Sequence, residues 1–346
     1  MTRPMIAHRG RAFEELFARL EVGLRDVFLT ARPVYISTSS ASGLMEGAIR
    51  NAPAGAVLAL VNGAFSGRFA KIAKACAREV DVFEVPWGET FDLEAVERRL
   101  AARRYAVVTV VHSETSTGAL TDVRTVTELA HKNDTLCIVD SVSGVAGAEL
   151  RFDAWGLDFV LTGSQKALAL PPGLAFGVAS SEFVRRAKQV SDRGLYFDVV
   201  EFEEFAAKNQ TPATPALSLL YALDAQLADL LREGIERRWE RHAAMRDATA
   251  AWLKRAVTRV DLEIDILAPE ESRSPTVSTI TLPENVKSSD VVKAVERRGF
   301  VIGAGYGKLK DTTIRVGHMG DHTLETLRGC LAECEDALRD VGGIKW

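Results

Sequence analysis

A chain of 346 residues is long for one compact core, and the usual size of folded units makes one large and one smaller domain the expected arrangement. Its 47% hydrophobic and 26% charged side chains can bury enough apolar surface to offset the entropy of ordering, which excludes a disordered chain. With 43 Lys and Arg against 47 Asp and Glu, a net charge of -4 and no basic run, neither nucleic acid nor an anionic membrane is an expected partner, and a small molecule is. Cys76, Cys137, Cys330 and Cys334 form no CxxC pair and no Cys/His cluster, so reduced, buried thiols are expected and no metal site is. The N-terminus has no apolar signal core and no window is apolar for long enough to span a bilayer, so a cytoplasmic location is expected.

The first element is an amphipathic helix, because Phe13, Leu16, Phe17, Leu20, Leu24, Val27 and Phe28 recur at helical spacing among charged residues. Apolar runs of strand length follow at PVYIS, AVLALV, DVFEV, YAVVTVV, LCIVD, DFVLT and LAFGVA. Helix-like stretches lie between most of them, for example from Arg68 to Glu79 and from Val123 to Asn133. Strands apolar on both faces and separated by helices predict an α/β fold with a mostly parallel seven-stranded sheet covered on both sides. After NQTPATPALSLLYAL the pattern changes to long charged helices around Glu236 to Val257, then short strands at VSTITL and TIRVG and a last helix from about Asp321 to Arg339. This predicts a large domain over residues 1–232 and a smaller C-terminal α/β domain over 233–346, with no internal repeat.

In an open parallel sheet, ligands bind beyond the carboxyl ends of the strands, where loops and helix N-termini converge. Four such ends are rich in polar residues: STSSASGLMEGA, HSETSTG, DSVSG and GSQKALALPPG. They are expected to share one crevice. Asp140 closes one apolar run and Lys166 lies just past the end of the next, so adjacent strands would bring them together. A carboxylate facing a pyridinium nitrogen keeps that ring protonated and electron-withdrawing, and a lysine beside it can form a Schiff base and then act as a base. Asp as a helix cap and Lys as a solvated side chain is the competing reading of the same spacing. Ser39, Ser40, Ser42 and Gly43 precede a helix and suit a phosphate at its N-terminus, against the simpler reading of a serine cap. GAGYG, from Gly303 to Gly307, lacks the spacing of a dinucleotide-binding loop and reads as a turn.

Taken together, HSETSTG, DSVSG, GSQKALALPPG, NQTPATP and IRVGHMG resemble the class V aminotransferases of fold type I, above all the serine-pyruvate and alanine-glyoxylate branch, from about Arg3 to the last helix. The resemblance implies pyridoxal 5'-phosphate as cofactor, with Lys166 as the Schiff-base lysine and Asp140 as partner of the ring nitrogen. It makes Gln165 a phosphate contact and places Ser40, Ala41 and Ser42 on the phosphate-binding turn. It sets Thr115 near the phenolic oxygen and gives Phe65 the stacking position, where the family usually has tryptophan. It makes Arg315 the arginine that grips the substrate carboxylate, and it puts Thr211 at a dimer interface, reaching the partner's phosphate, which implies a homodimer with composite active sites. Lys208 stands where some relatives have a tyrosine that touches the phosphate. Family members generally carry a further N-terminal Gly/Pro-rich segment lining the substrate end of the pocket, and this sequence starts after it.

The activity so implied is ping-pong transfer of an amino group between serine or alanine and a small 2-oxo acid, glyoxylate or pyruvate. Within the family, 2-aminoethylphosphonate and ureidoglycine transaminases are the alternatives. A cysteine desulfurase needs a mobile cysteine before the carboxylate-binding arginine, and GAGYGKLKDTT has none. A scaffold without turnover would have no need of Asp140, Lys166 and Arg315 together. A nicotinamide dehydrogenase lacks its glycine fingerprint here.

Overall fold

The computed structural model describes residues 3–343. Its first element is α1 (Arg11–Phe28), which buries the seven apolar residues noted above. Then come β1 (Val34–Ser37), α2 (Ala41–Asn51), β2 (Val57–Val61), α3 (Ala64–Ala75), β3 (Val80–Glu84), α4 (Leu93–Ala102) and β4 (Val107–Val111). A short hairpin, β5 (Ser113–Glu114) and β6 (Ala119–Leu120), precedes α5 (Val123–Lys132), β7 (Leu136–Asp140), β8 (Phe159–Gly163) and β9 (Ala175–Ala179). The helices α6 (Ser181–Ala187), α7 (Val199–Ala206), α8 (Leu217–Glu233) and α9 (Ile235–Val260) lead to the C-terminal part. There β10 (Asp265–Ile266), β11 (Val277–Thr281), α10 (Ser288–Glu296), β12 (Gly303–Ala304), β13 (Thr313–Gly317) and α11 (Leu324–Gly342) complete the chain.

The seven long apolar runs form one sheet in the order β1-β9-β8-β7-β4-β2-β3. All its strands run parallel except β9, which is antiparallel to both neighbours. Six of the strands are buried along their whole length, as expected of a sheet covered on both faces. DVFEV is the exception: β3 is an edge strand with half-exposed and exposed positions.

Alternation along each strand sends side chains into two cores. Val34, Ile36, Val108 and Val110 pack with α1, α4, α5 and α8 on one face. Tyr35, Val107 and Ile138 pack with α2, α3 and α7 on the other. The helices α1 and α8 approach so closely that a Cβ added at Gly23 would lie 3.1 Å from Leu227. A third core joins α9, α10 and α11 to the small sheet, whose order is β10-β11-β13-β12.

Two helix boundaries differ from the sequence reading. The helix expected over Arg68–Glu79 begins four residues earlier, at Ala64, because a remote carboxylate, Glu114, accepts from its first N–H groups. It ends at Ala75, where Ala77 turns to a φ of 57°. The last helix starts at Leu324, where the Thr323 hydroxyl accepts from the Thr326 N–H, and runs to Gly342.

Candidate active site

The four polar strand ends meet at one cavity of about 260 Å³, lined by residues that include Ser40, Ala41, Ser42, Phe65, Thr115, Asp140, Gln165 and Lys166. The sheet order explains the convergence. Lys166 follows β8, Asp140 closes the adjacent β7, Thr115 follows β4 and Phe65 follows β2, so the loops emerge side by side from one edge of the sheet. Asp140 is buried, and one of its oxygens accepts from the Val142 N–H at 2.9 Å while the other has no partner among the described residues.

Lys166 sits in a tight turn closed by the Ala169 N–H to the Lys166 carbonyl at 2.9 Å and the Leu170 N–H to the Ser164 carbonyl at 3.0 Å. Ala169 adopts a φ of 56° there, a left-handed conformation that a residue with a Cβ holds only when its surroundings fix it. The fully buried Arg238 supplies part of that fixing. Its guanidinium donates to the Ala167 carbonyl at 2.8 Å and pairs with Glu233 at 2.7 Å and Asp321 at 2.8 Å.

Ser40 occupies the cap position of α2, yet its hydroxyl does not cap the helix, and among the described residues no atom accepts from the Ala41 and Ser42 N–H groups. The first turn of α2 thus offers free donors in the positive end of a helix dipole.

Arg315 reaches the site from β13, with its Nε on the Ala304 carbonyl at 2.9 Å and its Nη1 on the Thr115 carbonyl at 3.3 Å. Among the described residues it has no carboxylate partner, which rejects a surface salt bridge as its explanation. A Cβ on Gly303, its cross-strand neighbour, would stand 3.3 Å from Nη2 and crowd the fork. Thr211 lies elsewhere. It is buried beside Ile36, Ser37 and Thr38 in a separate small crevice, its hydroxyl donating to the Ala213 carbonyl at 2.8 Å. Lys208 points away, its amine 5.1 Å from the Phe205 ring centroid.

Residues 45–314 match the family described as aminotransferase class-V. The chain belongs to the class-V aminotransferases. An uncharacterized aminotransferase of Methanocaldococcus jannaschii is 35% identical over 350 residues, spanning 99% of this chain and 89% of that protein. The serine-glyoxylate aminotransferase of Arabidopsis thaliana is 31% identical over 356 residues, spanning 99% of this chain and 86% of that one. Among solved structures, the alanine-glyoxylate aminotransferase of Nostoc sp. superposes with a TM-score of 0.90 at 28% identity, covering 97% of this chain and 90% of the other.

In this class-V aminotransferase the electrostatics of the cavity follow from burial. Asp140 is pushed up to about 7, chiefly by loss of solvent and then by the Glu114 charge, against the pull of the Val142 N–H, Lys166 and Arg68. Burial and the Arg315 charge lower the Lys166 amine, while Asp140 raises it, so the free-base form is easier to reach than in water. His112 is held down at about 4 by complete burial and is neutral, its Nδ1 sharing a 2.9 Å hydrogen bond with the Ser141 hydroxyl.

Several contributors escaped the sequence reading. Ser143 shares a hydrogen bond of 2.5 Å with the Thr115 hydroxyl, and Arg68 joins the lining. GAGYG is more than a turn. Gly303 and Ala304 form the edge strand β12, and the following Tyr306 stacks on Phe65 with ring centroids 5.2 Å apart. Arg68 donates to the Tyr306 hydroxyl at 3.1 Å, and Lys308 lies 4.3 Å from the centroid of the Trp87 ring. The small sheet is thereby tied to the aromatic that borders the cavity. Gly118 lets the hairpin dock in return: its φ is 75°, and an added Cβ would stand 3.1 Å from the Val277 carbonyl.

Proposed function

We propose that this aminotransferase uses pyridoxal 5'-phosphate to move an amino group between a small amino acid, serine or alanine, and a small 2-oxo acid, glyoxylate or pyruvate. The observation that carries the reading is the sharing of one cavity by Asp140 and Lys166, with Arg315, itself outside the lining, bonded to the carbonyl of Thr115, which lines it. The residues present fit the cofactor. The unbonded Ala41 and Ser42 N–H groups and the Ser40 and Ser42 hydroxyls suit a phosphate, with Gln165 as a further donor. With Tyr306 stacked on one face of Phe65, its other face suits a flat ring, and the Asp140 oxygen without a partner among the described residues suits a cationic ring nitrogen. Thr115, which lines the same cavity, suits the ring's oxygen as a hydrogen-bond donor.

When bound, the cofactor supplies an electron-withdrawing ring that makes the substrate Cα–H acidic. Lys166 would hold the cofactor covalently, and its Nζ, when free, would take the proton from the substrate Cα and deliver it to the cofactor carbon that bore the aldehyde. Asp140 would favour the protonated form of the ring nitrogen. Arg315 holds the substrate α-carboxylate through the donors it does not spend on Ala304 and Thr115, and so aligns the bond to be broken.

The choice of substrates is supported by the serine-glyoxylate and alanine-glyoxylate relatives. The two lobes are taken as residues 1–232 and 233–346, and the active form as a homodimer in which Thr211 of one copy serves the phosphate site of the other. Support for the dimer comes from Leu195 and Tyr196, which are 77% and 50% exposed, and from the Tyr196 hydroxyl donating to the Thr38 carbonyl close to Ser40.

Bleaching of the visible cofactor band by a panel of amino acids tests the reading. Serine and alanine are expected to bleach it fastest, and a band that responds only to 2-aminoethylphosphonate or to no α-amino acid would overturn the substrate assignment. Arg315→Ala is expected to raise KM for every α-amino acid by about 10- to 100-fold, the worth of a charge-assisted hydrogen-bonded pair. An unchanged KM would move the carboxylate site elsewhere.

A further inference from the structure

We propose that Glu114 is a positioning residue that sets both the aromatic plate and the carboxylate-binding arginine of the site. The inference rests on the cofactor reading above. Glu114 is completely buried and forms no salt bridge among the described residues. Its charge is held by uncharged donors instead. Oε2 accepts from the Phe65 N–H at 3.1 Å, the Ser66 N–H at 2.9 Å and the Ser66 hydroxyl at 3.0 Å. Oε1 accepts from the Ser116 N–H at 3.1 Å and the Ser116 hydroxyl at 2.6 Å. The carboxylate therefore caps α3 from a distant part of the sequence and lies in the favourable end of that helix dipole.

Two parts of the site hang on these bonds. The Phe65 N–H belongs to the residue whose ring borders the cavity, so Glu114 fixes where the ring stands. Glu114 also anchors the turn whose next residue, Thr115, gives its carbonyl to Arg315 at 3.3 Å and its hydroxyl to Ser143. Gly63 makes the close approach feasible, because a Cβ there would lie 2.3 Å from the Glu114 Cγ. The Ser116 hydroxyl closes the circuit by accepting from the Ala64 N–H at 2.9 Å.

Glu114→Gln tests the idea, because an amide has one accepting oxygen and one donating nitrogen. Whichever way it turns, either the α3 donors or the Ser116 donors face an NH₂ group and lose their acceptor. In protein freed of cofactor, E114Q is expected to speed amide exchange at Phe65 and Ser66 by about tenfold, the worth of hydrogen bonds to a charged acceptor. With cofactor added, E114Q is expected to weaken the Kd for pyridoxal 5'-phosphate by about tenfold. It should also diminish the circular dichroism of the visible band and raise KM for alanine more than it lowers kcat.

An E114Q protein that folds, with only its Tm reduced and with exchange, Kd, dichroism and KM as in wild type, would overturn the proposal by making Glu114 a structural cap alone. Should E114Q fail to fold, Ser116→Ala removes only the hydroxyl between Glu114 and Ala64. It is expected to move the same readouts in the same direction by about threefold, and no movement would overturn the proposal. A wild type that binds no pyridoxal 5'-phosphate would sink the cofactor reading instead, and the exchange measurement would still decide the role of Glu114 in holding Phe65.

Discussion

Lys166→Ala is expected to lose the visible absorption band that wild type develops with pyridoxal 5'-phosphate and to slow the amino-transfer half-reaction by about 10⁴-fold, the upper range for removing a positioned general base. Lys166 lines the cavity, and among the described residues its amine has no hydrogen-bond or ion-pair partner that would hold it in a structural role. Burial and the nearby Arg315 favour its neutral form, which a nucleophile and base must reach. The Ser40–Ser42 turn and Asp140 are untouched by the change, so the variant should still bind cofactor without the covalent link, more weakly than wild type. A variant with normal turnover, measured as formation of the 2-oxo acid from the amino donor, would remove Lys166 from the chemistry.

Asp140→Asn separates stability from activity, and the two should move in opposite directions. In the cofactor-free protein, burial raises the Asp140 carboxyl from an ordinary 3.8 to about 7. A raised folded-state value means that the protonated form is the one the fold favours. Its contribution to stability is complete below about pH 4 and is lost as pH rises through about 7. The asparagine variant has no such loss. Without cofactor it should match wild type near pH 4 and exceed it at pH 8 by on the order of a few kcal/mol, read as a higher Tm or denaturant midpoint. With cofactor its half-reaction should fall by about 10³-fold, because the cationic ring nitrogen loses a buried counter-charge. A variant less stable than wild type at pH 8 would contradict the buried-charge account, and unchanged turnover would show that Asp140 does not face the ring nitrogen.

The large sheet was legible because its strands are short apolar runs with polar residues at one end, and that pattern follows from burial on both faces. Asp140 and Lys166 could be brought together from the sequence alone, since β7 and β8 are consecutive, adjacent and parallel. Features made by distant partners were not legible. The start of α3 depends on Glu114, the stacking of Tyr306 on Phe65 joins the two sheets, and Arg238 braces the Lys166 turn from α9. None of these pairs leaves a periodic or local mark in the sequence. GAGYG reads as a turn in sequence because its glycines answer to distant neighbours, the Arg315 fork beside Gly303 and the Leu309 carbonyl and Trp87 ring beside Gly305 and Gly307, with Gly307 also at a φ of 60°. Thr211 is a different case, since one copy of the chain places it outside the cavity.

Borohydride reduction of the wild-type protein loaded with pyridoxal 5'-phosphate, followed by mass spectrometry of its peptides, tests the central claim most directly. The account predicts a single stable pyridoxyl adduct, on the peptide that carries Lys166, with loss of the visible band. An adduct on another lysine, or none at all in protein that binds the cofactor, would contradict it.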